Sequence, residues 1–416
     1  MEQYKILSPI YMAYSDLRKA VKTSYVPESL NNPGKIYYWN NYLFINEQGK
    51  GVHVIDDQNP SQPVFKAFIN IPGNVDIAIK DGMLYADSYI DLVVIDIGDI
   101  SNIHEVNRVD SIFSYTVPPY TDTLKLLWDV IDPKKGVVTG YTVKTIEKEM
   151  VQQFQNPYPV YYYNGIDKMA DNVAYAPAQS SSSSGPTSSS SGTSIGFAGS
   201  MARFAITGNT LYVINSSYML IVFDISTADN PSKQNTIYTG WTAETIFPYN
   251  NNLFIGTQSG MIVYNISDPL QPTNQSTFWH STGCDPVVVE GNYAFITIRT
   301  GTICNSSNVT NRLDVVNISN INSPFLEKSY AMNNPYGLGI DKNTLFICDG
   351  SAGLKIYDIS NVDNISGNLL VTYPDNVAID VIPLGAVLLM VGGNGFYQYD
   401  YSDLKNIKLL SKIEVQ

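Results

Sequence analysis

Cysteine is scarce in this 416-residue chain, which has only Cys284, Cys304 and Cys348. Three cysteines are too few for a disulfide framework and do not stand at zinc-ligand spacing. They read as buried thiols, with one pairing left open, Cys304 with Cys348. Histidine is equally rare: His53, His104 and His280 are scattered, with no H-x-H or H-E-x-x-H pair, which argues against a zinc or copper centre. No G-x-S-x-G elbow marks a serine nucleophile, and the GNG and GKG stretches read as hairpin turns rather than phosphate loops. Basic residues number 25 against 38 acidic ones, a net charge of −13 with no Lys/Arg cluster, so nucleic acid is not an expected partner. No window reaches the roughly 18 apolar residues of a spanning helix. The first twenty residues, MEQYKILSPIYMAYSDLRKA, lack the cationic start and unbroken apolar core of a secretion signal. The expectation is a soluble chain, either intracellular or with a leader removed upstream of this numbering.

What the sequence has is repetition, and periods of 20–50 residues decide a fold before any local pattern does. A first apolar run recurs seven times, as YLFINE, MLYADS, TLYVIN, NLFIGT, YAFITI, TLFICD and VLLMVG. A second run follows each copy and ends in Asp or Asn: GVHVIDD, DLVVIDIGD, MLIVFDIST, GMIVYNISD, RLDVVNISN, GLKIYDISN and GFYQYDYSD. Leu43 to Leu84 is 41 residues, Leu211 to Leu253 is 42, Leu253 to Ala294 is 41, Ala294 to Leu345 is 51 and Leu345 to Leu388 is 43. Only the step from Leu84 to Leu211, at 127, is out of line. A further short run precedes the first, as in VDIAIKD, and a fourth follows the second, as in VFKAFINI. Four strands per repeat, with turn signals between them, predict an all-β chain: a seven-bladed β-propeller of four-stranded antiparallel blades.

The second runs, above all DLVVID and LIVFDIS, resemble the LVIVD-repeat proteins, and the phrases SPIYMAYSDLR, CDPVVVEGNYAFIT and LFICDGSAGLKIYDIS resemble Bacteroidetes members of that group. The resemblance implies a propeller at the bacterial cell surface or in the periplasm, in proteins that usually carry a lipidated cysteine ahead of the folded part. It implies no specific activity.

The expected domain plan is a leader, residues 1–33, packed on the outside or bottom of the ring, then a propeller over 34–416 interrupted by an insertion at 114–199. Within the insertion, KKGVVTGYTVKTIEKEM alternates and predicts a long hairpin from the second blade. After it come Tyr158, Tyr161, Tyr162 and Tyr163, suited to stacking on sugars, gripping a peptide or covering the blade edge, and a Ser/Gly tract over Gln179 to Ser194 that reads as a linker.

Seven acids or amides end the second runs: Asp56, Asp96, Asp224, Asn265, Asn317, Asp358 and Asp400. A position that takes Asp or Asn interchangeably is a poor general base and a good Asx-turn former. Function is expected instead among unrepeated residues on the face where the innermost strands begin. There the candidates are Asp76, Glu244, His280, Asp285, Tyr336, Asn376 and Asp380, with Glu47, Tyr89, Arg299, Asp349 and Asn394 in the adjoining loops. Acids converging on the channel mouth would suit Ca2+ or another hard cation, although no D-x-D-x-D loop supports one. The longer loop of the fifth copy, RTGTICNSSNVTNRLDV, is a candidate rim. Together these features point to a monomeric, non-catalytic binding or scaffold module for a glycan, peptide or protein. The alternative is a hydrolase or lyase using the channel-mouth acids.

Overall fold

The computed structural model describes residues 2–119, 127–148, 196–215, 218–240, 243–280, 286–299, 310–374 and 377–416. The described residues form seven four-stranded antiparallel blades, at 33–70, 77–109, 204–238, 243–279, 287–331, 338–373 and 378–414, and the fold is a seven-bladed β-propeller.

Each blade runs outward from the channel in chain order. The two middle strands are apolar on both faces because neighbouring blades cover both: in blade 2, Leu84, Tyr85, Leu92, Val93, Val94 and Ile95 are all at 0% exposure. Each such Val, Leu or Ile contributes about 1.5–3 kcal/mol on burial. The outermost strands alternate instead, as in Ser232–Tyr238, and every one of the seven carries a β-bulge near its start that sharpens the local twist. Tyrosine hydroxyls tie blade to blade: Tyr85 donates to the Ala228 carbonyl at 2.7 Å and Tyr212 to that of Pro269 at 2.8 Å.

The repeated acid at the end of the third strand is a turn former in all seven copies. Oδ1 of Asp56, Asp96, Asp224, Asn265, Asn317, Asp358 and Asp400 accepts the backbone N–H two residues on, at 2.8–3.2 Å. The two Asn copies bond as the Asp copies do.

Among the described residues no blade borrows a strand from the other end of the chain. Blades 1 and 7 are joined by contacts alone: Gln398 Nε2 donates to Asp57 Oδ1 at 2.6 Å, Leu30 bridges Val415, and the Gln416 N–H donates to the Leu30 carbonyl at 2.9 Å.

The leader and the insertion differ from expectation. Among the described residues the antiparallel partner of the strand Val137–Lys148 is Glu2–Met12, and residues 149–195, where a second hairpin arm would fall, lie outside them. Leu127–Trp128 pairs parallel on the other edge of Glu2–Met12, completing a three-stranded sheet. The alternation in KKGVVTGYTVKTIEK is real, but the complementary alternating edge lies at the other end of the sequence. The helix Tyr14–Leu17 then packs Leu17 on Tyr89 and Ile90, in the turn between the second and third strands of blade 2. That turn lies on the face where the innermost strands begin, called the top below. Lys22–Ser24 adds a fifth strand to the outer edge of blade 1. Cys348 is a buried free thiol, its pKa pushed up by burial, and Cys284 and Cys304 lie outside the described residues.

Candidate functional site

Register, rather than spacing along the chain, defines the channel mouth. Pairing of first and second strands aligns Ile36, Ile77, Phe204, Ile246, Val287, Leu338 and Val381. The residues just before them therefore share one level of the ring: Lys35, Asp76, Arg203, Thr245, Pro286, Gly337 and Asp380. Four consecutive blades, 7, 1, 2 and 3, place a charge there, alternating in sign. Blades 4, 5 and 6 place none.

Asp76 is the centre of this arc. It is 2% exposed, and its Oδ2 lies 2.5 Å from Lys35 Nζ while accepting the N–H groups of Arg203 at 2.6 Å and Phe204 at 3.1 Å. Its Oδ1 accepts the Ile77 N–H at 2.8 Å. Beneath it, Asp87 Oδ1 accepts the N–H groups of Val75 and Asp76 and a donor from Asn74 Nδ2, at 2.8–2.9 Å. Burial pushes the Asp76 carboxyl up and the Lys35 ammonium down to about 8, against the attraction each exerts on the other. Asp380 is also buried and is pushed up to about 7 by desolvation, although the Ser200 hydroxyl donates to its Oδ1 at 3.2 Å.

A second buried unit stands beside the arc in blade 1. Glu47 accepts the N–H groups of Asn31 at 3.1 Å and Asn32 at 2.7 Å and lies 3.2 Å from His53 Nε2. Burial alone would raise this carboxyl, but the bonds from His53, Asn31 and Asn32 hold it below its ordinary value.

The other candidates fall elsewhere. Glu244 is half-buried in a bulge between Ala243 and Thr245, so Thr245 takes the channel level and Glu244 does not. His280 follows the outermost strand of blade 4, at the rim rather than the channel. Tyr89 is 7% exposed and sealed under the leader helix, with its ring against Gly73, where a Cβ would come within 2.5 Å of it. Arg299 and Tyr336 do meet: the guanidinium lies 4.1 Å over the tyrosine ring, and both side chains are buried. Asp349 accepts the N–H groups of Asn333 and Asn334 and pairs with Lys355 Nζ at 2.6 Å. Asn394 accepts the Tyr397 hydroxyl at 2.6 Å. Asp285, Asn376, Tyr158, Tyr161, Tyr162 and Tyr163 lie outside the described residues. Among the described residues no three His, Cys, Asp or Glu side chains stand together so as to hold a metal ion.

Reading the runs singly missed Lys35, Ser200 and Arg203. Setting the seven inner strands in register would have exposed Lys35 and Arg203 as the unrepeated charges of the arc.

The top rim of blades 3 and 4 is different in character. Tyr238 and Trp279 end their outermost strands at equivalent positions, 68% and 54% exposed. Tyr218 stands 6.5 Å from Tyr238, ring to ring, with planes 16° apart.

A family model described as LVIVD repeat matches residues 36–70, 73–111 and 306–332. The chain carries LVIVD repeats. They coincide with most of blade 1, with blade 2 and with the outer half of blade 5. No curated protein matches this chain. Among solved structures, a protein from Lactobacillus plantarum is similar over 92% of this chain and 96% of its own, at 11% identity and a TM-score of 0.57. A computationally designed protein is similar over 94% and 90%, at 9% identity and a TM-score of 0.53. A protein from Saccharomyces cerevisiae is similar over 94% and 88%, at 8% identity and a TM-score of 0.53. At such identities the likeness is one of fold.

Proposed function

We propose that this LVIVD propeller is a non-catalytic binding or scaffold module of the bacterial cell surface or periplasm, taking a glycan or peptide on the top rim of blades 3 and 4. The observation that carries the reading is the exposed aromatic set Tyr218, Tyr238 and Trp279. Large, half-exposed aromatic faces offer much contact area at little cost in side-chain entropy, and they stack on sugar rings and on apolar side chains alike. The surface location rests on the resemblance of the repeats, as does a lipid anchor ahead of the folded part.

The hydrolase or lyase alternative needs two ionisable groups converging on one substrate position. Both oxygens of Asp76 already serve Lys35 and three backbone N–H groups, which favours the binding reading.

Glycan and peptide arrays probed with the full chain and with Tyr238→Ala/Trp279→Ala test the proposal. The expected result is a set of hits that weaken at least tenfold in the double variant, with an unchanged melting temperature. Hits of equal strength in the two proteins would sink the rim reading.

A further inference from the structure

The chain does not enter blade 3 from above, as it enters blade 4. Phe197 and Ala198 pair antiparallel with Tyr38 and Tyr37, on the inner edge of the innermost strand of blade 1. Because Pro33–Trp39 descends from the top, this pairing makes Gly196–Arg203 climb the central channel from below and reach the top at Asp76. On the way the Gly196 N–H donates to the Ile79 carbonyl at 3.1 Å in blade 2. The Ser200 hydroxyl donates to Asp380 of blade 7 and accepts the Leu338 N–H of blade 6 at 2.8 Å. The Ala202 carbonyl accepts the Ile246 N–H of blade 4 at 3.1 Å. Ala198, Ser200, Met201 and Ala202 are 1–4% exposed.

The fit is close and sets the residue types. A Cβ on Gly199 would lie 1.9 Å from Asp380 Oδ2, one on Gly196 2.2 Å from the Tyr37 ring, and one on Gly337, in the facing wall, 2.1 Å from Asp380 Oδ1. The wall supplies an open strand edge, a buried carboxylate for a hydroxyl and an orphan N–H for its oxygen. These are the elements by which a sheet edge recognises an extended peptide.

We propose that the central channel is a binding site for a peptide segment with small residues where the wall is tightest, filled in cis by Gly196–Arg203 with Gly196, Ala198, Gly199, Ser200 and Ala202 at those places, and that this internal ligand closes the ring. The closure role follows from connectivity. With no strand exchanged between blades 1 and 7, the channel strand bonds to blades 1, 2, 4, 6 and 7 while continuing into blade 3. It also means that a ligand from outside meets the rim, since the channel is taken.

The test replaces residues 149–202 by a Gly/Ser linker, so that the chain enters blade 3 from above, and adds a synthetic peptide of residues 196–202. The expected results are a melting temperature several degrees below that of the full chain, one-to-one peptide binding that restores it, and at least tenfold weaker binding of the same peptide with valine at the Gly199 position. Equal binding of the two peptides, no binding to the folded variant, or a melting temperature equal to the full chain's would overturn the proposal. Should the linker variant not fold, Gly199→Val in the full chain gives the answer by limited chymotrypsin digestion. The bond after Phe197, resistant in the parent, becomes cleavable if the strand is expelled, and equal resistance at equal melting temperature refutes it. Gly140→Ala, whose Cβ meets only Ile10 Cδ1 at 3.9 Å, serves as the control.

Discussion

Asp96 and Asp76 belong to the same blade and are put to opposite uses. Asp96 ends the third strand at the surface and accepts the Gly98 N–H at 2.8 Å, a bond made within its own turn and repeated in every blade. Asp76 begins the first strand at the channel, a level at which only blade 7, with Asp380, has another acid, and it holds Lys35 and the start of blade 3. The turn acid stabilises a local bend that any blade needs. The channel acid organises a meeting of three blades that occurs once. Repetition therefore marks what makes a blade, and its breakdown marks where one chain segment must meet another from a different blade.

The largest expected effect comes from breaking the channel pair. Lys35→Met leaves the Asp76 carboxylate buried without its cation, and removal of one partner from a buried pair costs about 3–5 kcal/mol. The companion Lys35→Met/Asp76→Asn removes the charge as well and should recover part of that loss. Urea unfolding measures both. A single-variant loss below about 1 kcal/mol would mean that water reaches Asp76 and that the contrast with Asp96 has been overdrawn.

The next effect is one of pH, and here the two kinds of acid have opposite signs. Asp380, at about 7 in the fold against about 3.9 for an unperturbed Asp, keeps its proton in the native state after the unfolded chain has lost it. Its contribution to stability is thus present below about pH 4, lost as pH rises from about 4 to 7, and flat above. Asp57, pushed up to about 6 by burial at the junction of blades 1 and 7, acts in the same direction. The turn acids do the reverse. Asp224 and Asp358 are held below their ordinary value chiefly by the N–H groups of Ser226 and Ser360, and their stabilisation is present above about pH 4 and lost on acidification through their lowered pKa. Asp380→Asn should flatten the fall between about pH 5 and 7 and leave the acid limb intact. At about pH 8 it should be more stable than the parent by up to about 4 kcal/mol, since a shift of roughly three units corresponds to about 1.4 kcal/mol for each tenfold change in proton affinity. Parallel stability curves for the two proteins would contradict this assignment.

The fold was legible because a blade is a local object. Apolar runs such as DLVVID, the Asp or Asn after them and the roughly even spacing are all consequences of interactions within some forty residues. The channel was only half legible, for two physical reasons. A bulge between Ala243 and Thr245 shifts the register by one, so that Glu244, in a phrase much like that of Asp76, is turned away from the level that Thr245 occupies. Lys35 lay in an ordinary strand sequence, GKIYYW, and its importance depends on a partner in the next blade. The segment Gly196–Arg203, of which only Phe197–Ala198 is a strand, carries no pattern at all. Its glycines at 196 and 199 follow from the tight fit to Tyr37 and Asp380, and the walls that impose that fit come from other blades.

The smallest effect is the one that most cleanly separates the two acids. Asp96→Ala deletes an acceptor from the Gly98 N–H and should cost about 0.5–1.5 kcal/mol, the net worth of one hydrogen bond. Asp96→Asn should change stability by less than about 0.5 kcal/mol, as at other tolerant surface positions. The reason lies in the molecule itself: Asn265 and Asn317 make the equivalent bond in blades 4 and 5, at 2.9 and 3.0 Å, with a neutral amide oxygen. If Asp96→Asn instead cost as much as Asp96→Ala, the charge rather than the oxygen would be what the turn requires. Asn265→Asp and Asn317→Asp should then stabilise the chain by a similar amount, and neither is expected to do so.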